Sequence, residues 1–140
     1  MKKNYKILAK YIKDLSSETP NAETYIFVKD NIAKYQLGID ITSKALKNKM
    51  IEVITKLKFE DKEENSKKSY FEIVFATIIR VDDKITEKKE LEKIILCDVQ
   101  IKIYPNLEKT FLDLLHNSGY PGIKFEKKID FEKLYNQRFN

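Results

Sequence analysis

Tyr11-Ile12-Lys13-Asp14-Leu15-Ser16-Ser17-Glu18-Thr19-Pro20-Asn21-Ala22 is the stretch on which the reading of this chain turns. Apolar alternation carries a strand from about Tyr5 to Leu15, with Tyr5, Ile7, Ala9 and Tyr11 expected on one face. The strand then runs into a loop at the corner Pro20-Asn21-Ala22, with the acids Asp14 and Glu18 at fixed offsets before it. Nothing in the stretch has the make-up of an active site.

Three more strands follow by the same period. Tyr35 to Thr42 sends Leu37, Ile39 and Ile41 one way and Gln36, Gly38, Asp40 and Thr42 the other. Met50 to Phe59 turns Ile51, Val53, Thr55, Leu57 and Phe59 inward, and Tyr70 to Val81 does so with Phe71, Ile73, Phe75 and Ile79. Short connections favour an antiparallel meander, since parallel neighbours need a long crossover. The polar stretch Glu60 to Lys68 reads as a solvent loop.

Helical spacing takes over after the fourth strand. Leu91, Ile94, Ile95 and Val99 predict a helix that ends before Pro105. Leu107, Phe111, Leu114 and Leu115 predict a second one, with Gly119 placed to cap its end. Asp130 is positioned to cap a short last helix, Phe131 to Arg138, burying Phe131, Leu134 and Tyr135. Strands followed by helices make an α+β fold: a four-stranded antiparallel sheet with helices packed on one face, in a single domain over 1–140.

Composition narrows the chemistry. The chain has 140 residues, 42% of them hydrophobic, which suits one core. Cys97 is the only cysteine, so no internal disulfide framework is available and a reducing cytoplasm is the expected compartment. Lys2 and Lys3 are followed by Asn4, Lys6 and Lys10 rather than an apolar run, and neither a signal peptide nor a membrane span is expected. The net charge of +5 invites a nucleic-acid reading. Against it, only Arg80 and Arg138 are arginine, and the lysines are interleaved with acids along the whole chain.

Catalytic constellations fail for want of parts. His116 is the sole histidine and Cys97 the sole thiol, both in helical segments without a nucleophile signature. The three glycines, Gly38, Gly119 and Gly122, build no phosphate-binding loop. Neither Asp82-Asp83 nor Glu63-Glu64 has the spacing of a calcium loop. No enzyme, cofactor or metal is expected.

Apolar surface remains. The outward face of the sheet carries Tyr70, Val74, Ile78 and Ile54, more than a small domain can bury, and such area marks a subunit interface or a binding surface. Aromatic residues cluster near strand ends and loops, Tyr35 among them. A groove for an extended apolar peptide is expected, with Tyr25, Phe27, Leu37, Ile39, Ile41, Phe125, Phe131 and Tyr135 as its candidate residues.

These features together resemble the SecB family of export chaperones. Lys13-Asp14-Leu15-Ser16 through Pro20-Asn21-Ala22 is similar to the family's first-strand signature. Phe71-Glu72-Ile73, Tyr104-Pro105, Gly119-Tyr120-Pro121 and the closing Ile129 to Tyr135 fall at matching places. The resemblance implies a homotetramer, a dimer of dimers, that holds unfolded preproteins in apolar grooves without ATP and delivers them to the SecA motor. It also implies an acidic docking patch for SecA on the outer face of the sheet, with Asp14, Glu18, Tyr70 and Glu72 at its positions. Members of the family are usually acidic, whereas this chain is basic, and the family's fourth-strand glycine pair is Ala76-Thr77 here. The family's polar tail, a second SecA contact, is not expected after the last helix. Two other readings stand beside this one: a SecB-like chaperone dedicated to the antitoxin of a toxin–antitoxin system, and a Lys-rich RNA- or ribosome-associated module.

Overall fold

The computed structural model describes residues 4–63, 67–126 and 128–139, with 138 and 139 as backbone alone. Residues 64–66 of the expected solvent loop, and with them Glu64 of the acidic pair, lie outside the described residues. The elements in chain order are β1 (Tyr5–Glu18), α1 (Ala22–Asp30), β2 (Gln36–Ala45), β3 (Met50–Glu60), β4 (Tyr70–Val81), α2 (Lys88–Lys93), α3 (Val99–Asn117) and α4 (Phe131–Phe139). A 3₁₀ turn, Ile32–Lys34, leads into β2, and a π-helical turn, Ile94–Asp98, joins α2 to α3.

The four strands form one antiparallel sheet in the order β1-β4-β3-β2. The expected meander therefore holds only for β2, β3 and β4, while β1 crosses over to pair with β4 in a Greek-key arrangement. The crossover needs length, and α1 with its following 3₁₀ turn supplies it. Sequence periodicity reads α1 as loop because its apolar residues, Tyr25, Ile26, Phe27 and Val28, run consecutively instead of forming a stripe. Its ends carry the signals that declare it: Asn21 accepts from Thr24 N at 2.8 Å as the N-cap, and Asn31 N donates to the Phe27 carbonyl at the far end. Between β2 and β3, Asn48 and Lys49 both take positive φ, 60° and 62°, which gives a two-residue turn the twist its strands require.

β1 is irregular in a way that matters. Its register with β4 slips between Ile7 and Ala9 and again between Ile12 and Asp14. Each extra residue flips the alternation that follows. Tyr5 and Ile7 accordingly pair beside Val81 and Ile79 on the helix side, while Ala9 and Tyr11, expected with them, pair beside Ile78 and Ala76 on the outer side. Asp14, Ser16 and Glu18 continue along that outer side.

The helices cover the other face. Val99, Ile103, Leu107, Phe111 and Leu115 recur every four residues along α3 and are buried with Val53, Leu57, Phe59, Phe71, Ile73 and Ile79 of the sheet. One polar thread crosses this core. Thr55 Oγ1 donates to Gln100 Oε1 at 2.9 Å, and Gln100 Nε2 donates to the Ile95 carbonyl at 3.1 Å, just inside the π-helical turn. Both side chains are fully buried and partnered.

Pro105 does not separate two helices as expected; α3 runs through it. Proline removes the N–H that would meet the Ile101 carbonyl, but Ile101 and Pro105 lie on the exposed side of α3, where solvent substitutes. Gly119 caps the helix as expected. With φ +108°, it places its N–H on the His116 carbonyl and the Tyr120 N–H on the Leu115 carbonyl, a Schellman ending. Asp130 caps α4 through Lys133 N at 3.0 Å. Phe131 and Tyr135 are buried there, but Leu134 is not: it is 43% exposed and faces a groove.

Candidate functional site

The groove grows out of an aromatic seam inside the molecule. Ring centroids follow one another from Tyr25 to Tyr120 (5.3 Å), to Phe71 (5.6 Å), to Tyr35 (6.3 Å), to Phe59 (5.4 Å) and to Phe125 (5.8 Å). Each pair adds about 0.5–1.5 kcal/mol beyond the area it buries, which gives the groove a rigid floor. Tyr35, Phe59, Tyr120 and Phe125 present one edge of this seam to an open cleft of about 1300 Å³. Burial raises the Tyr35 and Tyr120 phenols above the usual range, so the floor stays uncharged at neutral pH.

Its walls come from segments far apart in sequence. Ile32 and the β2 residues Leu37 and Ile39 form one side, and Ile123 and Ile129 of the segment after α3, with Leu134 of α4, form the other. Two contacts pin the wall after α3. The Tyr25 hydroxyl donates to the Gly119 carbonyl at 2.7 Å, and His116 Nε2 donates to the Ile123 carbonyl at 2.9 Å. His116, the sole histidine, is thus a structural clasp. At Gly119 a Cβ would sit 2.5 Å from the Tyr25 ring, so only glycine lets α1 and the α3 end approach this closely.

The expected groove residues divide into three sets. Leu37, Ile39 and Phe125 line the cleft. Tyr25 and Phe27 are half-buried on α1, and Ile41 is half-buried further along β2; none of these three lines it. Phe131 and Tyr135 are buried in the core, where Phe131 packs on Tyr104 with centroids 5.3 Å apart, so they support the cleft from behind. Ile32, Phe59, Ile123, Ile129 and Leu134 are wall or floor residues that sequence reading did not assign to it. Their signal was present but local: each sits next to a turn or cap whose fold-back decides the neighbours.

The second feature lies on the outer face of the sheet, at the β1–β4 end. Glu18 pairs beside Tyr70, Ser16 beside Glu72 and Asp14 beside Val74, which brings the expected docking residues Asp14, Glu18, Tyr70 and Glu72 onto one patch. Asp14 and Glu18 are exposed, with Ser16 Oγ donating to Asp14. Glu72 is only 8% exposed and committed internally: it accepts from the Tyr70 hydroxyl at 2.5 Å and pairs with Lys58 Nζ at 3.8 Å. The Glu72 hydrogen bond, then burial and the charges of Glu72, Asp14 and Glu18 push the Tyr70 phenol up to about 12. A parallel pair stands further along, where Tyr11 donates to Glu52 and Lys13 approaches it at 3.6 Å, holding the Glu52 carboxyl below its usual range.

Among the described residues no group of three His, Cys, Asp or Glu could hold a metal ion, and no helix is long and apolar enough to cross a membrane. What the arrangement offers is apolar contact in the cleft and charge on the outer face.

Comparison with known proteins bears on the family and the fold. The family described as preprotein translocase subunit SecB matches residues 1–140. A protein of Pelagibacter ubique (strain HTCC1062), assigned by its name to protein-export protein SecB, is 63% identical over the full length of both chains. A protein-export protein SecB of Parvibaculum lavamentivorans is 27% identical over 133 residues, covering 95% of this chain and 77% of that one. Among solved structures, a Mycobacterium tuberculosis SecB-like chaperone in complex with a peptide from the HigA1 antitoxin superposes with a TM-score of 0.62. It is 14% identical, over 89% of this chain and 91% of that one.

Proposed function

This chain belongs to the SecB family of protein-export chaperones, and from that premise we propose that its cleft holds extended, unfolded preprotein segments and that it hands them to SecA. The observation that carries this reading is the open cleft of about 1300 Å³ with a preformed aromatic floor and aliphatic walls. Such a cleft favours apolar side chains at about 25 cal/mol per Å² buried, less the ordering entropy of the client. No bond is made or broken and no nucleotide is needed. The M. tuberculosis neighbour carries a peptide on the same fold, which supports a peptide as the occupant.

Assembly and hand-over complete the proposal. β1 is an edge strand, and on it Leu8, Tyr11, Ile12 and Leu15 are exposed, as is Ile101 on α3. An apolar edge of this length invites pairing with another copy, which supports the dimer of dimers; several clefts on one assembly add avidity. Asp14 and Glu18 are the exposed carboxylates through which the outer face meets basic segments of SecA, setting encounter rate and partner choice. The work is done in the cytoplasm, before export.

The test is refolding of a chemically denatured precursor. Stoichiometric protein is expected to delay it without ATP, and a variant with Ile39→Asp and Leu134→Asp, both on the cleft wall, is expected to lose the delay. Unchanged kinetics with excess wild-type protein would overturn the reading. A delay seen for one antitoxin and for no unrelated precursor would replace the general role with the dedicated one.

A further inference from the structure

The rim of the cleft is charged unevenly. Lys29 at the end of α1, Lys124 and Lys128 after α3 and Lys133 in α4 line it, against Glu126 and Asp130. Asp130 Oδ1 accepts from Lys133 N at 3.0 Å to cap α4 and keeps its charge, so four lysines stand against two carboxylates and the rim is net positive. Five lysines elsewhere pair with acids: Lys13 with Glu52, Lys34 with Glu63, Lys49 with Asp83, Lys58 with Glu72 and Lys88 with Glu92. The four rim lysines make no ion pair among the described residues. Three separate segments thus converge unpaired ammonium groups on one apolar cleft.

Placement gives these charges their effect. An apolar floor does not screen charge as water does, so the rim's field is focused along the cleft over roughly a Debye length, about 8 Å at physiological salt. A client whose apolar core sits on the floor must lay its flanking residues across that rim. Basic flanks meet four ammonium groups against two carboxylates and are repelled on balance, and acidic flanks are attracted, so the rim selects by repelling the wrong client as well as holding the right one.

We propose that the cleft selects extended apolar segments flanked by acidic residues. The inference rests on the cleft being the client site. It names the client's chemistry: an aromatic or aliphatic core of a few residues with Asp or Glu on either side.

The test uses fluorescence anisotropy with the full chain and three labelled peptides sharing one apolar core, flanked by acids, by serines or by lysines. At low salt the acidic-flanked peptide is expected to bind roughly tenfold more tightly than the lysine-flanked one, the gain of a few exposed ion pairs. High salt should bring the three together. The double variant Lys124→Glu/Lys128→Glu, whose side chains are exposed and whose change leaves the core intact, should reverse the order. Equal binding of all three at low salt, or tighter binding of the lysine-flanked peptide, overturns the selection while leaving the cleft as client site. If none of the three binds, the client site itself falls and this inference with it. An unrelated single-stranded RNA that binds more tightly than the acidic-flanked peptide and displaces it also overturns the proposal, since the lysines would then serve phosphates.

Discussion

The cleft and the outer-face patch are built from the same kinds of residue in opposite proportions. In the cleft, apolar side chains form the floor and lysines without an ion pair among the described residues stand at the rim. On the patch, a phenol, a lysine and Glu72 hold one another in place, leaving Asp14 and Glu18 exposed. In the proposed reading one surface buries a client and the other presents charge to a folded partner. Apolar contact, which fixes residence, and electrostatics, which governs encounter, are thereby separated in space.

The largest way to break that separation is through Gly119. Substituting Ala there forces a side chain into a left-handed conformation and into the Tyr25 ring 2.5 Å away. A loss of about 2–4 kcal/mol is expected, read as a lower thermal midpoint. Hydrogen exchange should rise first in the segment after α3, while the patch stays protected. Loss of protection spread evenly over the sheet would show that cleft and patch are not independent.

A smaller effect sharpens the comparison from the other side. Asp14→Lys with Glu18→Lys is expected to slow SecA association several-fold at low salt and to leave peptide binding in the cleft unchanged. Surface plasmon resonance with both ligands reads the two surfaces on one sample; parallel loss of both would contradict their separation.

The smallest effect is titrational. Tyr70 has a folded-state value of about 12 against 10.0 in an unperturbed phenol, so its contribution favours the fold fully below pH 10 and is lost as pH rises through 12. The difference absorbance of wild type and Tyr70→Phe should show a step near pH 12, and Glu72→Gln should bring that step back toward 10. A step near 10 in the wild-type protein would mean that the Glu72 hydrogen bond does not hold.

The patch was legible in the sequence to a degree the cleft was not, for a physical reason. Strand alternation has a period of two, so Tyr70 and Glu72 are placed on one face once their strand is recognised, while Asp14 and Glu18 were joined to them by the family resemblance, the expected first strand ending near Leu15 and β1 running on to Glu18. Even there the alternation from Ile7 to Ala9 misled, because the first bulge of β1 leaves no mark in periodicity. The cleft depends instead on fold-back. α1 hides in an apolar run, and Leu134, assigned to the core, faces the cleft because Phe131 and Tyr135 take the buried side of α4. The caps were readable, Gly119 and Asp130 both where expected, yet a cap says where a helix stops and not what the departing chain will face. The order β1-β4-β3-β2 was lost for the same reason, once α1 was read as loop.

The central claim is that the cleft, and not the outer face of the sheet, holds the client. A photo-crosslinking amino acid placed at Leu134, on the cleft wall, and separately at Thr42, exposed on the outer side of β2, tests it directly against a denatured precursor. The account predicts a strong adduct from position 134 and almost none from position 42. Adducts of equal strength, or a stronger one from position 42, would contradict it.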